Sequence, residues 1–343
     1  MYYLAKDGKW KNIGDYIQSV AANQFMHATK LIEREDLCDY HGEKLKVVLN
    51  GWFMHYPKRF PPSEDIVPLF LSFHLRPNVA KRLLTEKTVA YMKRYEPIGC
   101  RDMGTVEILE RAGVKAYLSN CLTLTLGMTF HRHPDAEKGP VCIVDPLRPF
   151  NPKCCLRALP SMLLHPVLAI RILMRMKRQK GAKVNWKTVL GMGAFIRVYS
   201  TLFDRSVLEN AEYVTHAVSE RMFSSEEEKM EYSRWIVEKY AGARYCVTSR
   251  IHCALPCVAV GTPVVFVDSS IKNFGKGRFG GVTELFNLAV TDGKRLEAHF
   301  PFDTDNPRGL IDMNTKLPTT DKHLKYVREL SEKCTEFAQR GGE

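Results

Sequence analysis

The sequence predicts an α/β protein whose two lobes face each other across a cleft. The chain has 343 residues, which exceeds the usual size of one domain and favours two. Short apolar runs alternate with segments of helical periodicity, a pattern typical of parallel sheets with helices on both faces. A polar stretch at 131–139 interrupts this alternation, which then restarts, so we place a lobe boundary there.

The first half supplies a regular series of predicted elements. Apolar runs without helical spacing predict four strands, at residues 1–4, 46–49, 68–73 and 114–118. Helices are predicted at 16–25 and at 105–111. Because ligands of open α/β sheets bind beyond the carboxyl ends of the strands, each strand end is a candidate for chemistry.

The second half repeats the pattern beyond the boundary. A helix is predicted at 226–240, together with strands at 141–144, 212–215, 244–248 and 263–267. We therefore assign residues 1–138 to a first lobe and residues 139–343 to a second lobe. The second lobe also carries a basic insertion at about 146–203 and a last helix at about 320–340.

Composition indicates an ordinary globular protein of a reducing compartment. Apolar residues make up 45% of the chain and charged residues 26%, which excludes a disordered or fibrous protein. The ten cysteines have no paired CxxC spacing, which favours buried reduced thiols over a disulfide framework and predicts no metal site. The N-terminus lacks the features of a cleaved signal peptide, so we predict a cytoplasmic location.

The net charge of +12 is concentrated in one segment. Residues 146–203 contain eleven Lys and Arg but no Asp or Glu, so the rest of the chain is close to neutral. A segment of this kind indicates an anionic partner. Nucleic acid is not the predicted partner, because Trp186 is nearly alone among these cations and single strands bind to arrays of stacking aromatics.

The strongest candidate site follows the strand at 244–248. Ser249 is predicted to cap the next helix, which places Arg250 and His252 in its first turn beside unpaired backbone N–H groups. Such a turn attracts anions through the positive end of the helix dipole. The alternative is an arginine held in a salt bridge and a histidine packed under the helix, and spacing alone leaves both open.

A similar arrangement occurs at residues 97–102 in the first lobe. Arg101 follows a strand end and lies next to a helix start, which Asp102 is predicted to cap. Arg101 is therefore either an anion ligand or simply the ion-pair partner of Asp102.

Other strand ends carry side chains that suit a sugar. Trp52 can stack on a sugar face, while Asn50 and His74 can hydrogen-bond hydroxyls, although a tryptophan is more often a core residue. His216 ends the strand at 212–215 and is equally ambiguous.

A glycine-rich stretch at 275–281 matches GxGxxG in letters. It lies several residues beyond its strand rather than in the first turn of a βα unit, so it is a weak dinucleotide fingerprint. We interpret it as a loop whose N–H groups, with Lys276 or Arg278, close over a phosphate.

Taken together, these segments resemble the polysaccharide pyruvyl transferase family. The resemblance extends over residues 1 to about 315 and rests, in chain order, on residues 12–18, 50–53, 72–74, 97–102, 215–216, 248–256 and 261–263. Its most specific element is Ser-Arg-Ile-His at 249–252 followed by Gly-Thr-Pro at 261–263. The family's Arg-x-His pair falls on Arg250 and His252, and its first-lobe arginine falls on Arg101.

The resemblance implies both a fold and a reaction. Members of the family are similar to glycosyltransferase B-type proteins, with two Rossmann-like lobes, and use phosphoenolpyruvate as a substrate without an obligatory cofactor. The enolpyruvyl unit moves onto two hydroxyls of a glycan sugar as a ketal, and phosphate leaves.

The implied roles follow from that reaction. Arg250 and His252 would be catalytic, with His252 as the acid–base group. Phosphoenolpyruvate would be bound by Arg250, Arg101, Ser249, His216, Lys276 and Arg278. The glycan acceptor would be bound by Asp15, Asn50, Trp52 and His74.

Two alternative functions stay open at the level of sequence. A nucleotide-sugar glycosyltransferase on the same fold would need a pocket for a diphosphate and a base in the second lobe. A non-catalytic glycan-binding protein would use the basic segment. Only the pyruvyl transferase should release phosphate from phosphoenolpyruvate.

Residues 160–187 of the basic segment predict contact with an anionic membrane, where the acceptor would be lipid-linked. Pro166 suits the first position of a helix. That helix would present an apolar surface and a cationic stripe, formed by Val167, Leu168, Ile170, Leu173 and Met174 and by Arg171, Arg175 and Arg178. Its apolar run is too interrupted to span a bilayer. The alternative is a helix packed on the second lobe or at a dimer interface.

Overall fold

Two six-stranded sheets organise the chain. The computed structural model describes residues 2–6, 12–28, 30–52, 55–179, 184–219, 222–269 and 279–340. Helices and parallel strands alternate along these residues, so the predicted α/β class is confirmed.

The first sheet uses strands from the first half of the chain only. They are β1 (Tyr2–Lys6), β2 (Lys30–Glu33), β3 (Leu45–Trp52), β4 (Ile66–His74), β5 (Ile98–Cys100) and β6 (Ala116–Leu118). Their spatial order is β2-β1-β3-β4-β5-β6, and neighbouring strands are parallel throughout. The carboxyl ends of β3, β4 and β5 therefore lie side by side.

Four helices accompany this sheet, and side-chain caps fix three of their starts. They are α1 (Ile13–Met26), α2 (Pro77–Leu83), α3 (Glu86–Lys93) and α4 (Met103–Arg111). Asn12 caps α1 by accepting the N–H of Gly14, and Asp102 caps α4 by accepting the N–H of Thr105, as predicted for Asp102. Both caps lie at the same end of the sheet as the strand ends.

The second sheet uses strands from the second half of the chain. They are β7 (Val141–Val144), β8 (Glu212–Val214), β9 (Tyr245–Thr248), β10 (Val264–Asp268), β11 (Asn287–Thr291) and β12 (Leu296–Ala298). Their order is β12-β11-β10-β9-β7-β8, with only the β11/β12 pair antiparallel among these strands. β8 and β9 flank β7 on opposite sides, which opens a crevice beyond the end of β7.

The basic segment folds into helices between β7 and β8. They are α5 (Pro152–Arg157), α6 (Leu159–Leu164), α7 (Pro166–Lys177) and α8 (Trp186–Tyr199), followed by α9 (Arg205–Asn210). Pro166 is the first residue of α7, as predicted, and Leu168 packs in the core against the second sheet. The prediction that Leu168 belongs to an exposed surface is therefore wrong, because this side of α7 faces the sheet. In the described part of the chain, no helix has the length and apolar character needed to cross a membrane.

Packing of α1 joins the two halves of the molecule. The remaining helices are α10 (Glu226–Ala241), α11 (Ile251–Ala259) and α12 (Leu324–Gln339). α1 packs against α10 and α11, and Ile17 and Ile236 belong to the same apolar cluster. The Tyr16 hydroxyl also donates to the Glu226 carboxylate. This shared core holds the N-terminus of α1 beside the second sheet.

The last helix returns to the first half of the molecule. α12 packs against α1 and β4, and Lys46 Nζ on β3 donates to the Phe337 carbonyl at 2.8 Å. The assignment of this helix to the second lobe therefore needs correction, since these contacts place it against elements of the first sheet.

Candidate active site

A pocket of about 210 Å³ lies where strand ends of both sheets meet. The first half contributes Asn12, Asp15, Trp52, His55, His74, Arg76 and Arg101, and the second half contributes Arg148, His216, Arg250, Ile251 and His252. Of the residues predicted from sequence, the pocket brings together Asp15, Trp52, His74, Arg101, His216, Arg250 and His252.

Arg250 lies between strand β9 and helix α11. Its backbone N–H donates to Thr248 Oγ1 at 2.9 Å, and its own conformation is extended, with φ −99° and ψ 122°. The helix begins at Ile251 with Arg250 as its N-cap, so the prediction that Ser249 caps the helix is wrong. Because the Thr248 hydroxyl accepts the Arg250 N–H, the chain stays extended one residue further than predicted. Ser249 is buried and is not among the described residues that line the pocket.

Asp145, directly after strand β7, anchors Arg250 and was not among the residues predicted from sequence. Its carboxylate accepts from Arg250 Nε at 2.6 Å, from Thr215 Oγ1 at 2.8 Å and from the His216 N–H at 3.2 Å. Burial alone would raise the pKa of this carboxyl, but the charge of Arg250 and these hydrogen bonds lower it. The signal was available: Asp145 directly follows a buried strand, at its carboxyl end.

Arg250 forms a salt bridge and also lines the pocket. The side chain is 20% exposed and uses Nε for Asp145, and its two Nη atoms make no hydrogen bond to the described residues. The salt bridge left open by the sequence is thus present, and the role of Arg250 as an anion ligand stays a prediction. The salt bridge orients the guanidinium, whose remaining donors stay available to a ligand.

Arg148, a residue of the basic segment with no predicted role in a site, is a second arginine of the pocket. Its Nη1 donates to the Ser249 carbonyl at 2.9 Å. Burial lowers the pKa of Arg148 to about 10, and the nearby charge of Arg250 contributes to the shift. An anion bound between the two guanidinium groups would relieve their repulsion.

Arg101 enters the pocket from the first half. It is 3% exposed, its backbone N–H donates to the Phe73 carbonyl at 2.9 Å, and its Nε lies 3.5 Å from Asp102 Oδ2. Within the described part of the chain, its Nε and one Nη atom make no hydrogen bond. A buried guanidinium with unused donors beside a pocket favours the anion-ligand interpretation over a simple ion pair.

Asp102 connects Arg101 to a histidine. Its Oδ1 accepts the Thr105 N–H at 3.0 Å, and its Oδ2 lies 2.7 Å from His74 Nδ1. Burial would raise the pKa of Asp102, but His74 and Arg101 hold it below its usual value. Asp102 is therefore both a helix cap and the carboxylate that orients His74.

The two histidines that the second half contributes to the pocket differ in burial. His216 is fully buried, with Nε2 2.6 Å from the Tyr240 hydroxyl, and burial lowers its pKa to about 4. It is therefore neutral at physiological pH. His252 is only half-buried and lies in the first turn of α11. A Cβ on Gly14 would lie 3.1 Å from His216 Nδ1 and 3.2 Å from His252 Cβ, so glycine permits this approach of α1.

On the first-half side, Trp52 forms one wall of the pocket. The His55 ring contacts it edge-on with centroids 4.0 Å apart, and the Arg76 guanidinium lies over the indole at 5.1 Å. Asp15 accepts hydrogen bonds of 3.2 Å from the side chains of Asn12 and Gln18. These groups form a rigid polar and aromatic surface opposite Arg250.

Asn50 does not reach the pocket. It is buried, and its amide donates to the Gln18 carbonyl at 3.0 Å. A bulge between Leu49 and Gly51, where Gly51 has φ 116°, breaks the alternation that would have put Asn50 and Trp52 on the same face. The predicted contact of Asn50 with an acceptor is therefore wrong, whereas Trp52 lines the pocket.

Lys276 and Arg278 of the glycine-rich stretch lie outside the described residues, and their predicted contact with a phosphate stays a prediction. The end of the stretch is placed, because the Met103 N–H at the start of α4 donates to the Gly280 carbonyl at 3.1 Å. This contact ties the stretch to the helix that follows Arg101.

Four arginines face a single carboxylate in this pocket. Among its described lining residues the cations are Arg76, Arg101, Arg148 and Arg250, and the acid is Asp15. Asp102 and Asp145 support arginines from behind and carry no free charge into the pocket. The arrangement therefore suits a ligand with more than one negative charge.

A second cavity, of about 400 Å³, adjoins the pocket and shares Arg148 and Arg250 with it. Its other walls are largely apolar and come from strand β8 and the basic segment: Leu147, Met176, Val184, Val214 and Val218, with Asn185 and Thr188.

Three thiols lie behind the pocket. Cys246 on β9 and Cys253 and Cys257 on α11 are fully buried, and their sulfurs lie within 4.8 Å of one another. Thiols are ligands for soft metal ions, and a structural zinc site takes four ligands. The trio belongs to the apolar core shared by the two halves.

Comparison with known proteins gives one family match. The family model described as polysaccharide pyruvyl transferase matches residues 12–271, more than half of the chain. No curated protein sequence matches the chain. The matched span contains all the residues that line the pocket.

Proposed function

The chain belongs to the polysaccharide pyruvyl transferase family, and we propose that it moves the enolpyruvyl unit of phosphoenolpyruvate onto two hydroxyls of a glycan sugar. The observation that carries this proposal is the convergence of four arginines and His252 on one pocket. Phosphoenolpyruvate carries a carboxylate and a phosphate at opposite ends of a short molecule. A pocket with cations on both sides suits such a donor.

Arginines of both halves would hold the donor. Arg250 and Arg148 approach it from the second half, and Arg101 approaches it from the first. Each guanidinium offers a planar pair of donors to a carboxylate or phosphate, and burial strengthens these contacts. The donor would thus be clamped across the two halves.

The reaction would then proceed in two additions at C2 of the donor. His252 gives a proton to the methylene carbon C3, which makes C2 an oxocarbenium centre, and one sugar hydroxyl bonds to C2 and loses its proton. The second hydroxyl then bonds to C2 and gives its proton to His252, which is thereby restored, while the bond from C2 to the phosphate oxygen breaks. Phosphate departs and the ketal closes.

His74 would be the base that receives the acceptor proton. Asp102 lies 2.7 Å from its Nδ1, which favours a proton on Nδ1 and makes Nε2 the basic nitrogen. Trp52 and Asp15, on the same side of the pocket, would stack on the sugar and accept from its hydroxyls. This division places the acceptor on the first half and the donor between the arginines.

We also propose that the two halves of the chain form two lobes on either side of a cleft. Two mainly parallel sheets whose strand ends meet at one pocket support a glycosyltransferase B-type arrangement with two Rossmann-like lobes. The first lobe would consist of residues 1–138 together with α12, and the second of the residues between 139 and α12. No cofactor enters this reaction, and a cytoplasmic location with a lipid-linked acceptor remains part of the proposal.

One alternative is favoured by a specific observation. The cavity of about 400 Å³ beside Arg148 and Arg250 is large enough to receive a base, with a diphosphate on the arginines. A nucleotide-sugar glycosyltransferase would use it in this way. The chemistry of the released product separates the two functions.

Phosphate release from phosphoenolpyruvate tests the proposal. Purified protein with a panel of bacterial and fungal oligosaccharides should release phosphate only when a suitable glycan is present. His252→Ala should lower the rate by ~10²–10⁴, the usual contribution of a positioned acid–base group. His131→Ala, which changes an exposed histidine outside the pocket, is the matched control. A His252→Ala rate equal to that of the control would contradict the assignment, and nucleotide release from nucleotide sugars would favour the alternative.

A further inference from the structure

Exposed apolar side chains are concentrated on one surface of the molecule. Thirteen large apolar side chains are exposed in the described part of the chain, and eight of them lie between residues 156 and 189. We define the apolar patch as these eight residues: Leu156, Leu163, Leu164, Val167, Ile170, Met174, Trp186 and Val189. Leu163 and Leu164 are each 75% exposed. The helices that carry them, α5 to α8, pack on one another, and a cluster of exposed apolar side chains usually marks an interaction site.

Helix α7 is apolar on both of its faces. Leu168 and Ile172 face the second sheet and are buried, whereas Val167, Ile170 and Met174 face away and are more than half exposed. A helix on the surface of a globular protein normally carries polar residues on its outer face. Packing against the second sheet explains only the inner face, so the outer face points to an interaction partner.

Cations surround the patch. Arg157, Lys177 and Arg178 are exposed and have no ion-pair partner among the described residues. Arg171, in contrast, pairs with Glu209 at 3.2 Å. Residues 146–203 contain no acidic residue that could neutralise the others.

From this surface we propose that the apolar patch and its cations dock the protein on an anionic membrane. Apolar side chains beside Lys and Arg suit the boundary between lipid headgroups and acyl chains. Each cation near an anionic surface is worth about 1 kcal/mol. A second copy of this chain is the less suitable occupant, because a symmetric dimer through the patch would bring the same cations face to face.

Docking here would bring the active-site region near the bilayer. Met176 on α7 and Val184, Asn185 and Thr188 line the cavity that adjoins the pocket, and they belong to the same segment as the patch. The benefit of docking, which is access to a lipid-linked acceptor, rests on the proposed function. Membrane binding itself does not require catalysis.

Co-sedimentation of the full chain with vesicles tests the proposal. The vesicles are phosphatidylcholine alone or a mixture with phosphatidylglycerol, at low and high salt. The apolar variant is Leu163→Gln, Leu164→Gln, Ile170→Gln and Met174→Gln, with Trp235→Gln and Leu324→Gln as its control. The charge variant is Arg157→Gln, Lys177→Gln and Arg178→Gln, and its control is Lys81→Gln, Lys115→Gln and Lys322→Gln, which removes the same charge elsewhere.

We expect binding only to the anionic vesicles, and less at high salt. Three cations at about 1 kcal/mol each correspond to a fall of about 100-fold in the partition coefficient of the charge variant. The apolar variant should lose binding as well, and both controls should bind like the original protein. Melting curves establish that every variant is folded.

Several results would overturn docking: equal binding to neutral vesicles, no binding, or patch variants that bind as well as the controls. If light scattering showed a dimer that the apolar variant converts to a monomer, with no vesicle binding, the patch would be a subunit interface.

The His252→Ala variant separates this proposal from the enzymatic one, since it should still bind vesicles. Vesicle binding without phosphate release would leave docking intact and remove the proposed reaction, and the reverse result would do the opposite.

Discussion

Arg250 has two roles that single substitutions can separate. It is the only charged partner within salt-bridge distance of the Asp145 carboxylate in the described residues, and it also lines the pocket. Its position at the start of a helix, outside the packed face, would suggest that its replacement leaves the fold intact. The ion pair changes that expectation, because removal of one partner leaves the other charge largely buried.

Arg250→Ala should therefore lower both turnover and stability. The Asp145 side chain is 11% exposed, and loss of its counterion should cost up to about 3 kcal/mol. The double variant Arg250→Ala with Asp145→Asn should regain most of the melting temperature but no activity. Calorimetry and phosphate release measure the two effects separately.

Arg250→Lys is the sharper variant at this position. It keeps a charge for Asp145 and should melt near the original temperature, yet a point charge cannot replace the guanidinium fork toward the donor. Turnover close to that of the original protein would show that the pocket needs only a positive charge here.

The polar residues at strand ends could be predicted from the sequence, whereas the residues that contact them could not. Arg250, His252 and Arg101 were identified because strand ends and helix starts concentrate chemistry. Asp145 and Arg148 were missed because their role depends on neighbouring strands β8 and β9, which are distant in sequence. Asn50 was misassigned because a bulge is not visible in the apolar pattern.

At the scale of elements, the predicted helix starts depended on which residue was expected to be the N-cap. Asp102 was correctly predicted as the cap of α4, but the start of α11 was placed one residue early. In the first case the capping oxygen belongs to the residue before the helix, which local sequence can indicate. In the second case the Thr248 hydroxyl accepts the Arg250 N–H and so keeps the chain extended beyond the expected cap, Ser249. Several neighbouring side chains can accept such a backbone N–H, so local sequence does not show which of them does.

Asp102→Asn tests whether this cap also serves the reaction. Asparagine is a good N-cap, so α4 should keep its start, but the charge beside His74 is lost. We expect turnover to fall by at least ~10²-fold, in the range of a mispositioned acid–base group. Stability should fall by up to about 3 kcal/mol, because the buried Arg101 loses its counterion. Asp102→Ala should lose about 1 kcal/mol in addition, because it removes the cap.

Rates of phosphate release and midpoints of urea unfolding check this prediction. If Asp102→Asn kept the original turnover while Asp102→Ala lost only stability, Asp102 would be a helix cap and nothing more.

At the scale of the whole molecule, the alternation of strands and helices predicted both sheets. The apolar runs of all the predicted strands correspond to strands of the structure, since buried parallel strands are apolar along their whole length. The return of α12 to the first half was not predictable, because amphipathic periodicity identifies the buried face of a helix and not the surface that covers it. For the same reason, the two apolar faces of α7 could not be assigned to sheet and solvent from sequence.

The joining of the halves by α1 gives the central claim its structural basis. The N-terminus of α1 approaches His216 and His252 through Gly14, so the two sides of the pocket are held together by one packed core. A pocket formed in this way suits a transfer between two substrates that bind on different halves.

Mass spectrometry of the product glycan tests that claim most directly. Purified protein, phosphoenolpyruvate carrying ¹³C in its three carbons and a glycan panel are incubated together, and each glycan is weighed before and after. The account predicts that one sugar gains the mass of labelled pyruvate less one water, with one phosphate released per label transferred. Glycans that stay unchanged across a broad panel, or that gain a sugar from an added nucleotide sugar instead, would contradict it.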